Sequence, residues 1–366
     1  MLAPAGASAP EWADRACALL APYPALLLAV SGGPDSVALM LLAAHYLSSG
    51  DRRLAVATVD HGLRDGSAQE AKQVGAWAQA LALPHHLLTW RGPRPATRIQ
   101  ERARLARYQL LAQCAATLGD AAIVTAHHAD DQAETILFRM TRGSGVAGLA
   151  GMSRISHWEN TAILRPLLDV PKTALEAFCQ AAGHDFFRDP SNADNKYARA
   201  RLRTLAPTLA AQGLDREALL RLGARAARAD EALVHCTATL RRQAIRHADD
   251  VSAQFDKATL AAATPEILRR LIGREIGRLA PKAPLRLERL ERLADQLHAS
   301  FAAGVAWRGT MAGLIVESRA DALMLRPAPP RSRPGDRARP TTTSVAGAPA
   351  AAMLQDASLG KKPCGA

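Results

Sequence analysis

The chain has 366 residues, of which 48% are hydrophobic and 22% charged, so a globular protein of two or three domains is expected. No apolar stretch is long enough to span a membrane, and the first residues lack the basic start and apolar core of a signal peptide, which predicts a cytoplasmic protein. A net charge of +12 favours a polyanionic partner, but a genome rich in arginine codons explains it equally well.

The five cysteines are scattered and form no Cys-x-x-Cys pair. That distribution argues against disulfides, a zinc site and an iron–sulfur cluster. If the protein binds a metal ion, the sequence does not identify its ligands.

The first informative element is an apolar run over residues 25–30, which predicts a buried strand. The turn SGGPDS (31–36) follows directly, and an apolar helical pattern begins after it. A strand, a glycine-rich turn and a helix start form a geometry that binds phosphate, because backbone N–H groups approach an anion closely there. No Gly-Lys-Ser/Thr follows the glycines, so the turn is not a Walker A loop. The candidate phosphate-binding residues are Ser31, Gly32, Gly33, Pro34, Asp35 and Ser36.

The next elements alternate in type. Strands are predicted over 54–59, 85–90 and 121–126, and helices over 36–47, 67–81 and 97–118. This alternation predicts an α/β fold with a doubly wound, Rossmann-like parallel sheet, in which ligands bind at the carboxyl ends of the strands. Three motif-like segments, SGGPDS, DHGLR (60–64) and HHADD (127–131), all fall at such ends.

Two acidic residues stand out in the segment that follows the 121–126 strand. Asp131 and Glu134 are three residues apart and therefore share a helix face, where they could bind an ammonium ion or act as a general base. Acidic residues in a first helical turn also interact favourably with the helix dipole. The sequence therefore favours neither the functional nor the structural role for Asp131 and Glu134. Asp35 is similarly open: it could position magnesium or the reacting group, or cap the helix that follows it.

Arginines cluster beside these segments. Each cluster alone is typical of a solvated face, but together, around a phosphate site, they indicate a phosphate-rich second substrate. The clustered residues are Arg98, Arg102, Arg104, Arg107, Arg139, Arg142, Arg199, Arg201 and Arg203.

From about residue 205 the pattern becomes almost purely helical. Helices are predicted over 214–228, 229–246, 265–279 and 285–299, with short closing strands at 305–308, 313–316 and 322–325. After residue 327 the chain is rich in Pro, Arg, Thr and Ala, which predicts a disordered tail. The predicted domains are therefore residues 1–205, residues 206–327 and the tail 328–366.

The motifs taken together resemble the tRNA(Ile)-lysidine synthetases, a family of N-type ATP pyrophosphatases with a PP-loop. The resemblance covers about residues 25–205. Several families share the SGGxDS loop, whereas the motifs that follow it are specific to this one. Its segments are SGGPDSVAL (31–39), VDHGLR (59–64), ERARLARY (101–108), TAHHADDQAET (125–135), TRGSGVAGLAGM (141–152), RPLLDVPK (165–172) and RDPSNADNKYARARLR (188–203).

The resemblance implies an enzyme that joins L-lysine to C2 of the wobble cytidine of tRNA(Ile) with a CAU anticodon. ATP, arriving with Mg²⁺, first adenylates the C2 oxygen, and the lysine amine then displaces AMP. Residues 1–205 would be the PP-loop catalytic domain, and residues 206–327 a mainly helical tRNA-binding domain. Larger family members have a third domain, and residues 333–340 resemble its start, which makes 328–366 a vestige of it.

The resemblance also implies roles for individual residues. Residues 31–36 would hold the ATP phosphates, with Asp35 counted among the catalytic residues. Asp131 and Glu134 would bind the lysine ammonium, and Asp131 would remove its proton. Arg107 and Arg199 would stabilise the phosphate and the adenylated intermediate.

Two alternatives remain beside this interpretation. A tRNA 2-thiolation enzyme of the same superfamily would need cysteines near the site, and no suitable pair is present. A non-catalytic tRNA-binding protein would not need Asp35, Asp131 and Glu134 intact. The sequence leaves the oligomeric state open, including a homodimer.

Overall fold

The computed structural model describes residues 10–47, 52–62, 66–90, 99–188 and 198–329, without the side chains of 99, 100 and 198–200. The chain divides into two compact units, Met1–Thr239 and Leu240–Ala366. The predicted tail from residue 330 onward lies outside the described residues, and the domain boundary at 205 stays a prediction.

The first unit is built on a sheet that, within the described residues, has six strands in the order β3-β2-β1-β4-β6-β5. All neighbours pair in parallel except β5 and β6. The strands are β1 (Ala25–Ala29), β2 (Arg53–Asp60), β3 (His85–Thr89), β4 (Ala122–Thr125), β5 (Ile155–Trp158) and β6 (Thr161–Leu164). The helices are α1 (Glu11–Leu20), α2 (Pro34–Tyr46), α3 (Ser67–Ala80), α4 (Ile99–Thr117), α5 (Ala129–Met140), α6 (Val146–Leu149), α7 (Lys172–Ala181), α8 (Ala198–Ala211) and α9 (Arg216–Ala244).

The predicted doubly wound sheet is confirmed, because helices cover both of its faces. Leu26 and Leu28 of β1 pack into one core with α2, whereas Leu27 packs into a second core with Leu111 of α4. A strand buried on both faces carries the continuous apolar run seen at residues 25–30. The short β5–β6 hairpin was not predicted, since β5 is half-exposed and carries no strong apolar pattern.

The strand order fixes where a ligand can bind. From β1 the chain builds outward through β2 and β3 on one side, and then returns to add β4 on the other side. Connections on opposite sides leave a crevice at the carboxyl ends of β1 and β4, the topological switch point of an open α/β sheet. The SGGPDS turn and the HHADD segment both lie there.

The second unit combines helices with an antiparallel sheet, which in the described residues has five strands in the order β7-β8-β11-β10-β9. The predicted closing strands correspond to its last three strands, whereas the β7–β8 hairpin was not predicted. The elements are β7 (Ile245–Ala248), β8 (Ala253–Asp256), α10 (Lys257–Ala261), α11 (Pro265–Leu279), α12 (Leu287–Ala302), β9 (Trp307–Met311), β10 (Leu314–Ser318) and β11 (Ala322–Pro327).

Two predicted helices are one in the structure. Residues 214–228 and 229–246 were expected as separate helices, but α9 runs continuously across residue 229. No glycine or proline stands at the predicted break, so nothing there interrupts the backbone hydrogen bonds.

Among the described residues, no helix is both long enough and apolar enough to cross a membrane.

The turn after β1 offers a test of the backbone geometry. Gly32 has a φ of +89°, and a Cβ on it would lie 2.6 Å from Cδ2 of Phe187. Gly33 has a φ of −72°, and a Cβ added there would meet only Ser31 Oγ, at 3.9 Å. We expect Gly32→Ala to lower the free energy of unfolding by about 1–3 kcal/mol, because it adds both strain and a clash.

Urea unfolding of the two alanine variants beside the wild type measures this effect. Gly33→Ala is the matched control and should change the unfolding free energy by less than about 1 kcal/mol, since its backbone conformation suits any residue. Equal losses in both variants would show that the left-handed conformation of Gly32 is not what the turn requires.

Candidate functional site

The SGGPDS turn is held by its own serines. The Ser36 hydroxyl accepts a hydrogen bond from the Ser31 N–H at 3.1 Å and donates to the Gly33 carbonyl at 3.0 Å. Gly33 is the N-cap of α2 and Pro34 its first residue, so the turn leads directly into a helix N-terminus. Free N–H groups and the positive end of the helix dipole then meet at this point, which is an arrangement that binds anions.

A cavity of about 410 Å³ opens over this turn. Its size is in the range of small-molecule sites. Four of the six predicted phosphate-binding residues line it, namely Ser31, Gly33, Asp35 and Ser36. Gly32 and Pro34 are not among the lining residues; they shape the turn instead. The rest of the wall comes from the ends of β1, β2 and β4 and from α4, with Ala29, Val30, Ala57, Val59, His61, Arg104, Arg107, Leu111, Thr125, Ala126, His127 and Asp131.

Arg104 and Arg107 make one wall of the cavity positive. Both guanidinium groups lie near the ring of Tyr108, at 5.1 and 5.4 Å from its centre, and that ring stacks on Trp158. Neither arginine forms an ion pair with a carboxylate of the described residues. Burial lowers the pKa of Arg107, yet arginine keeps its charge at neutral pH. The sequence named both arginines, but only the structure shows that they face the phosphate turn.

His127 adds a neutral group to the same cavity. Its Nδ1 lies 2.8 Å from Oγ1 of Thr125. Burial, followed by the nearby charges of Arg165, Arg107 and Arg104, lowers the pKa of His127 to about 3. The ring is therefore uncharged at neutral pH and can accept or donate a hydrogen bond within the cavity. The sequence patterns assigned His127 no role, although the HHADD motif pointed to its position.

His128 is the opposite case, since it is surrounded by carboxylates. Its side chain is 7% exposed, and its ring nitrogens lie 3.5 Å from Asp35, 3.6 Å from Asp130 and 3.5 Å from Asp131. Burial alone favours the neutral ring, but pairing with Asp130 and Asp35 and the charge of Asp131 outweigh it and raise the pKa of His128 to about 10. A buried imidazolium thus joins the start of α2 to the start of α5.

The structure separates the two neighbouring aspartates, which the sequence could not. Asp130 accepts the backbone N–H of Lys172 at 2.9 Å and lies 3.3 Å from Nη1 of Arg216. Pairing with His128 lowers the pKa of Asp130 more than burial raises it, and the Lys172 N–H and Arg216 lower it further. Asp131 instead lines the cavity, while its Oδ2 accepts the His128 N–H at 3.2 Å.

Asp131 also stabilises the start of its helix, which was the alternative role considered for it. The Asp131 carboxylate accepts the backbone N–H of the N-cap residue His128 and so caps the start of α5. A carboxylate can fill this role and still present its other oxygen to a ligand.

Asp35 does not cap α2, which was the alternative considered for it. It is the second residue of that helix, after the N-cap Gly33 and Pro34, and no side-chain cap is formed. Its Oδ1 is buried without a hydrogen-bond partner in the described residues. An unsatisfied carboxylate oxygen beside a phosphate site fits the oxygen ligands that Mg²⁺ prefers.

Glu134 is one turn along α5 from Asp131 but does not line the cavity. Arg203 of α8 binds both oxygens of its carboxylate, with Nη2 2.9 Å from Oε2 and Nε donating to Oε1. The carboxylate of Glu134 is therefore already paired with a cationic side chain, the guanidinium of Arg203. Arg199 lies in the first turn of α8, and its side chain is outside the described part of the chain.

The raised pKa of His128 predicts that the stability of the folded protein falls as the pH rises above neutrality. A histidine whose pKa is raised in the folded state contributes stability that is complete below the unfolded pKa, about 6.5, and is lost as the pH rises through about 10. We expect the wild type to lose more unfolding free energy between pH 7 and pH 10 than His128→Gln does. The difference should reach at least about 1.4 kcal/mol, the value of one pKa unit.

Urea unfolding of both proteins at the two pH values measures this difference. Lysine and cysteine titrations are common to both proteins and cancel in the comparison. Parallel losses of stability would mean that His128 is not an imidazolium at neutral pH.

Comparison with known proteins agrees with this geometry. A family model described as a PP-loop domain matches residues 13–209. A U34-tRNA thiolase, NcsA from Methanococcus maripaludis, has a solved structure that matches with a TM-score of 0.50 at 14% identity, covering 59% of this chain and 78% of that chain. At so low an identity, this likeness bears on the fold alone.

Two curated relatives are much closer in sequence. A tRNA(Ile)-lysidine synthase of Rhodopseudomonas palustris is 46% identical over 318 residues, which cover 84% of this chain and 92% of that protein. One of Bradyrhizobium diazoefficiens is 43% identical over 334 residues, with 86% and 92% covered. The PP-loop match and these relatives together establish that the chain belongs to the tRNA(Ile)-lysidine synthase family.

Proposed function

We propose that this protein joins L-lysine to C2 of the wobble cytidine of tRNA(Ile) with a CAU anticodon, converting ATP to AMP and pyrophosphate. The observation that carries the proposal is the composition of the cavity over the PP-loop. It is lined by the phosphate turn, by Arg104 and Arg107, which have no carboxylate partner among the described residues, and by the carboxylate of Asp131. An anionic nucleotide and a cationic amino acid can therefore bind side by side. Membership of the lysidine synthase family identifies them as ATP and L-lysine.

ATP is placed by the PP-loop in this proposal. The backbone of residues 31–36 and the α2 N-terminus hold its phosphates, and Arg104 and Arg107, which line the same cavity, neutralise them. Asp35, with its unpaired Oδ1, would be a Mg²⁺ ligand beside those phosphates. When bound, the ion would neutralise phosphate charge as pyrophosphate leaves.

The first chemical step is adenylation of the base. The C2 oxygen of the cytidine attacks the α-phosphorus of ATP, the bond to the β-phosphate bridging oxygen breaks, and pyrophosphate leaves. Negative charge grows on the α-phosphate as this happens. Arg107, which lines the cavity, and Arg199, at the start of α8, would stabilise that charge.

The second step uses the acidic side of the site. Asp131 and Glu134 bind the lysine ε-ammonium, and Asp131 removes a proton so that the free amine can attack C2. The C2–oxygen bond then breaks and AMP leaves with its electron pair. Because Arg203 pairs with both oxygens of Glu134, the lysine ammonium would displace this guanidinium when Glu134 binds it.

The alternative of a 2-thiolation enzyme receives no support from the site. No cysteine is among the described residues that line the cavity. Cys179, the cysteine next to the PP-loop, is buried with its Sγ 3.4 Å from the Pro34 carbonyl. Burial and the charges of Asp35 and Glu176 raise the pKa of Cys179 to about 12, which leaves it an inert thiol at neutral pH.

Asp130 and Asp131 provide a matched pair of variants. Asp131→Asn should leave ATP binding intact and lower lysine transfer by about 10²-fold or more, because the general base is lost. Asp130→Asn should remain active at 25 °C but lose about 1–3 kcal/mol of unfolding free energy, because Lys172 N–H and Arg216 lose a charged partner. Lysine incorporation into tRNA and urea unfolding separate the two effects. An inactive, fully stable Asp130→Asn beside an active Asp131→Asn would reverse the assignment.

The function itself is tested by AMP release from labelled ATP. We expect AMP only when both lysine and an unmodified CAU-anticodon tRNA(Ile) transcript are present, with the mass of the tRNA confirming lysine addition. Release that needs tRNA but ignores lysine would indicate a different tRNA-modifying enzyme. ATP binding without any AMP release would favour the non-catalytic alternative.

A further inference from the structure

Phe187 contacts the phosphate turn without belonging to the cavity. Its main-chain N–H donates a hydrogen bond to the Gly32 carbonyl, with 2.8 Å between nitrogen and oxygen. Its ring covers the same glycine, since a Cβ on Gly32 would lie 2.6 Å from Cδ2 of Phe187. Neither residue lines the cavity. Phe187 therefore holds the turn from behind, through its backbone and its side chain alike.

The position of Phe187 comes from tertiary contacts. Residues 184–188 form neither helix nor strand, so no regular backbone pattern fixes them. The Phe187 ring instead lies 5.0 Å from the ring of Trp77 on α3, tilted by 30°, and packs against the core that covers one face of the sheet. A ring held in this way is a firm support for the turn that it covers.

The hydrogen bond from Phe187 sets the direction of the peptide between Gly32 and Gly33. In a planar trans peptide, the carbonyl and the N–H of the next residue point in opposite directions. The Gly32 carbonyl points to Phe187, so the Gly33 N–H points away from it, on the side where Gly33 lines the cavity. This N–H has no acceptor among the described residues, which leaves it available to a ligand.

The reverse orientation of this peptide would oppose anion binding. The Gly32 carbonyl oxygen would then face the cavity, and its partial negative charge would repel a phosphate. Both residues that flank the peptide are glycines, which tolerate the backbone angles that such a rotation requires. A turn with this freedom needs a contact from outside to keep one orientation.

We infer that Phe187 is a positioning residue of the PP-loop, which fixes the Gly32–Gly33 peptide so that the Gly33 N–H faces the bound anion. Phe187 does not touch the ligand and acts through Gly32. The identity of the anion as the phosphate chain of ATP rests on the proposed function. The orientation of the peptide rests on the hydrogen bond to Phe187 alone.

The test removes the N–H of Phe187 and keeps its ring. Phenyllactic acid, the α-hydroxy analogue of phenylalanine, is incorporated at position 187 of the full chain by codon suppression and replaces the N–H with an ester oxygen. The matched control has the same replacement at Phe186, which packs against the same core and whose N–H has no acceptor among the described residues. Titration calorimetry measures ATP and adenosine binding, and urea unfolding confirms that both proteins are folded.

We expect the ester at position 187 to weaken ATP binding at least tenfold. The ester oxygen repels the Gly32 carbonyl and frees the peptide, so a hydrogen bond to a charged phosphate is lost. Adenosine has no phosphate and should bind both ester proteins as it binds the wild type. The ester at position 186 should also leave ATP binding unchanged.

Three results would overturn the inference. The first is wild-type ATP affinity in the protein with the ester at position 187. The second is equal weakening by the two esters, which would be an effect of the ester itself. The third is a loss of adenosine binding as large as the loss of ATP binding, because the whole nucleotide site would then be disturbed rather than one phosphate contact.

Alanine variants test the side chain of Phe187 and do not depend on the ester. Phe187→Ala keeps the N–H but removes the ring that anchors it, so it should weaken ATP binding severalfold and leave adenosine binding unchanged. Phe186→Ala is its control and should bind both ligands as the wild type does. Equal ATP affinities of the two alanine variants would contradict a positioning role for the ring.

These measurements need neither lysine nor tRNA, which keeps them apart from the proposed function. If the wild type binds ATP but shows no lysine-dependent AMP release, the proposed function fails, and the ester comparison still decides the role of Phe187. A wild type that binds no ATP would overturn both.

Discussion

The buried charge of His128 is the interaction on which the site depends. Three carboxylates, Asp35, Asp130 and Asp131, converge on one point between α2 and α5, and they would repel one another without a cation. The imidazolium lies within 3.6 Å of all three and so links the PP-loop to the helix that carries Asp131, while Arg216 adds a second cation beside Asp130. Removing one partner from such a cluster is costly, because it leaves the remaining charge buried and uncompensated.

The same fold gives adjacent histidines opposite states. His127 faces the arginine wall and stays neutral, whereas His128 faces the carboxylates and stays charged. The backbone alternation at the end of β4 turns the two rings to different surroundings. His127 lines the cavity beside Arg104 and Arg107, whereas His128 lies behind it and contacts the carboxylate of Asp131, which does line it.

Arginine serves two purposes in this protein, and pairing distinguishes them. Arg203 and Arg216 of the first unit bind carboxylates and fix α8 and α9 to α5. Arg104 and Arg107 at the cavity have no such partners among the described residues. Composition alone gives the same excess of positive charge in either case. The presence or absence of a carboxylate neighbour separates structural arginines from those available to phosphate.

The sequence by itself determined the sheet, the phosphate turn and the importance of the HHADD segment. These features are local: an apolar run reports a buried strand, and glycines at a strand end report a tight turn. It could not separate Asp130 from Asp131, because residues next to each other in sequence carry the same local signal. Only the tertiary structure turned one toward Lys172 and Arg216 and the other toward the cavity. It likewise decided that Glu134 meets Arg203, 69 residues away, since partners so distant in the chain are brought together by packing alone.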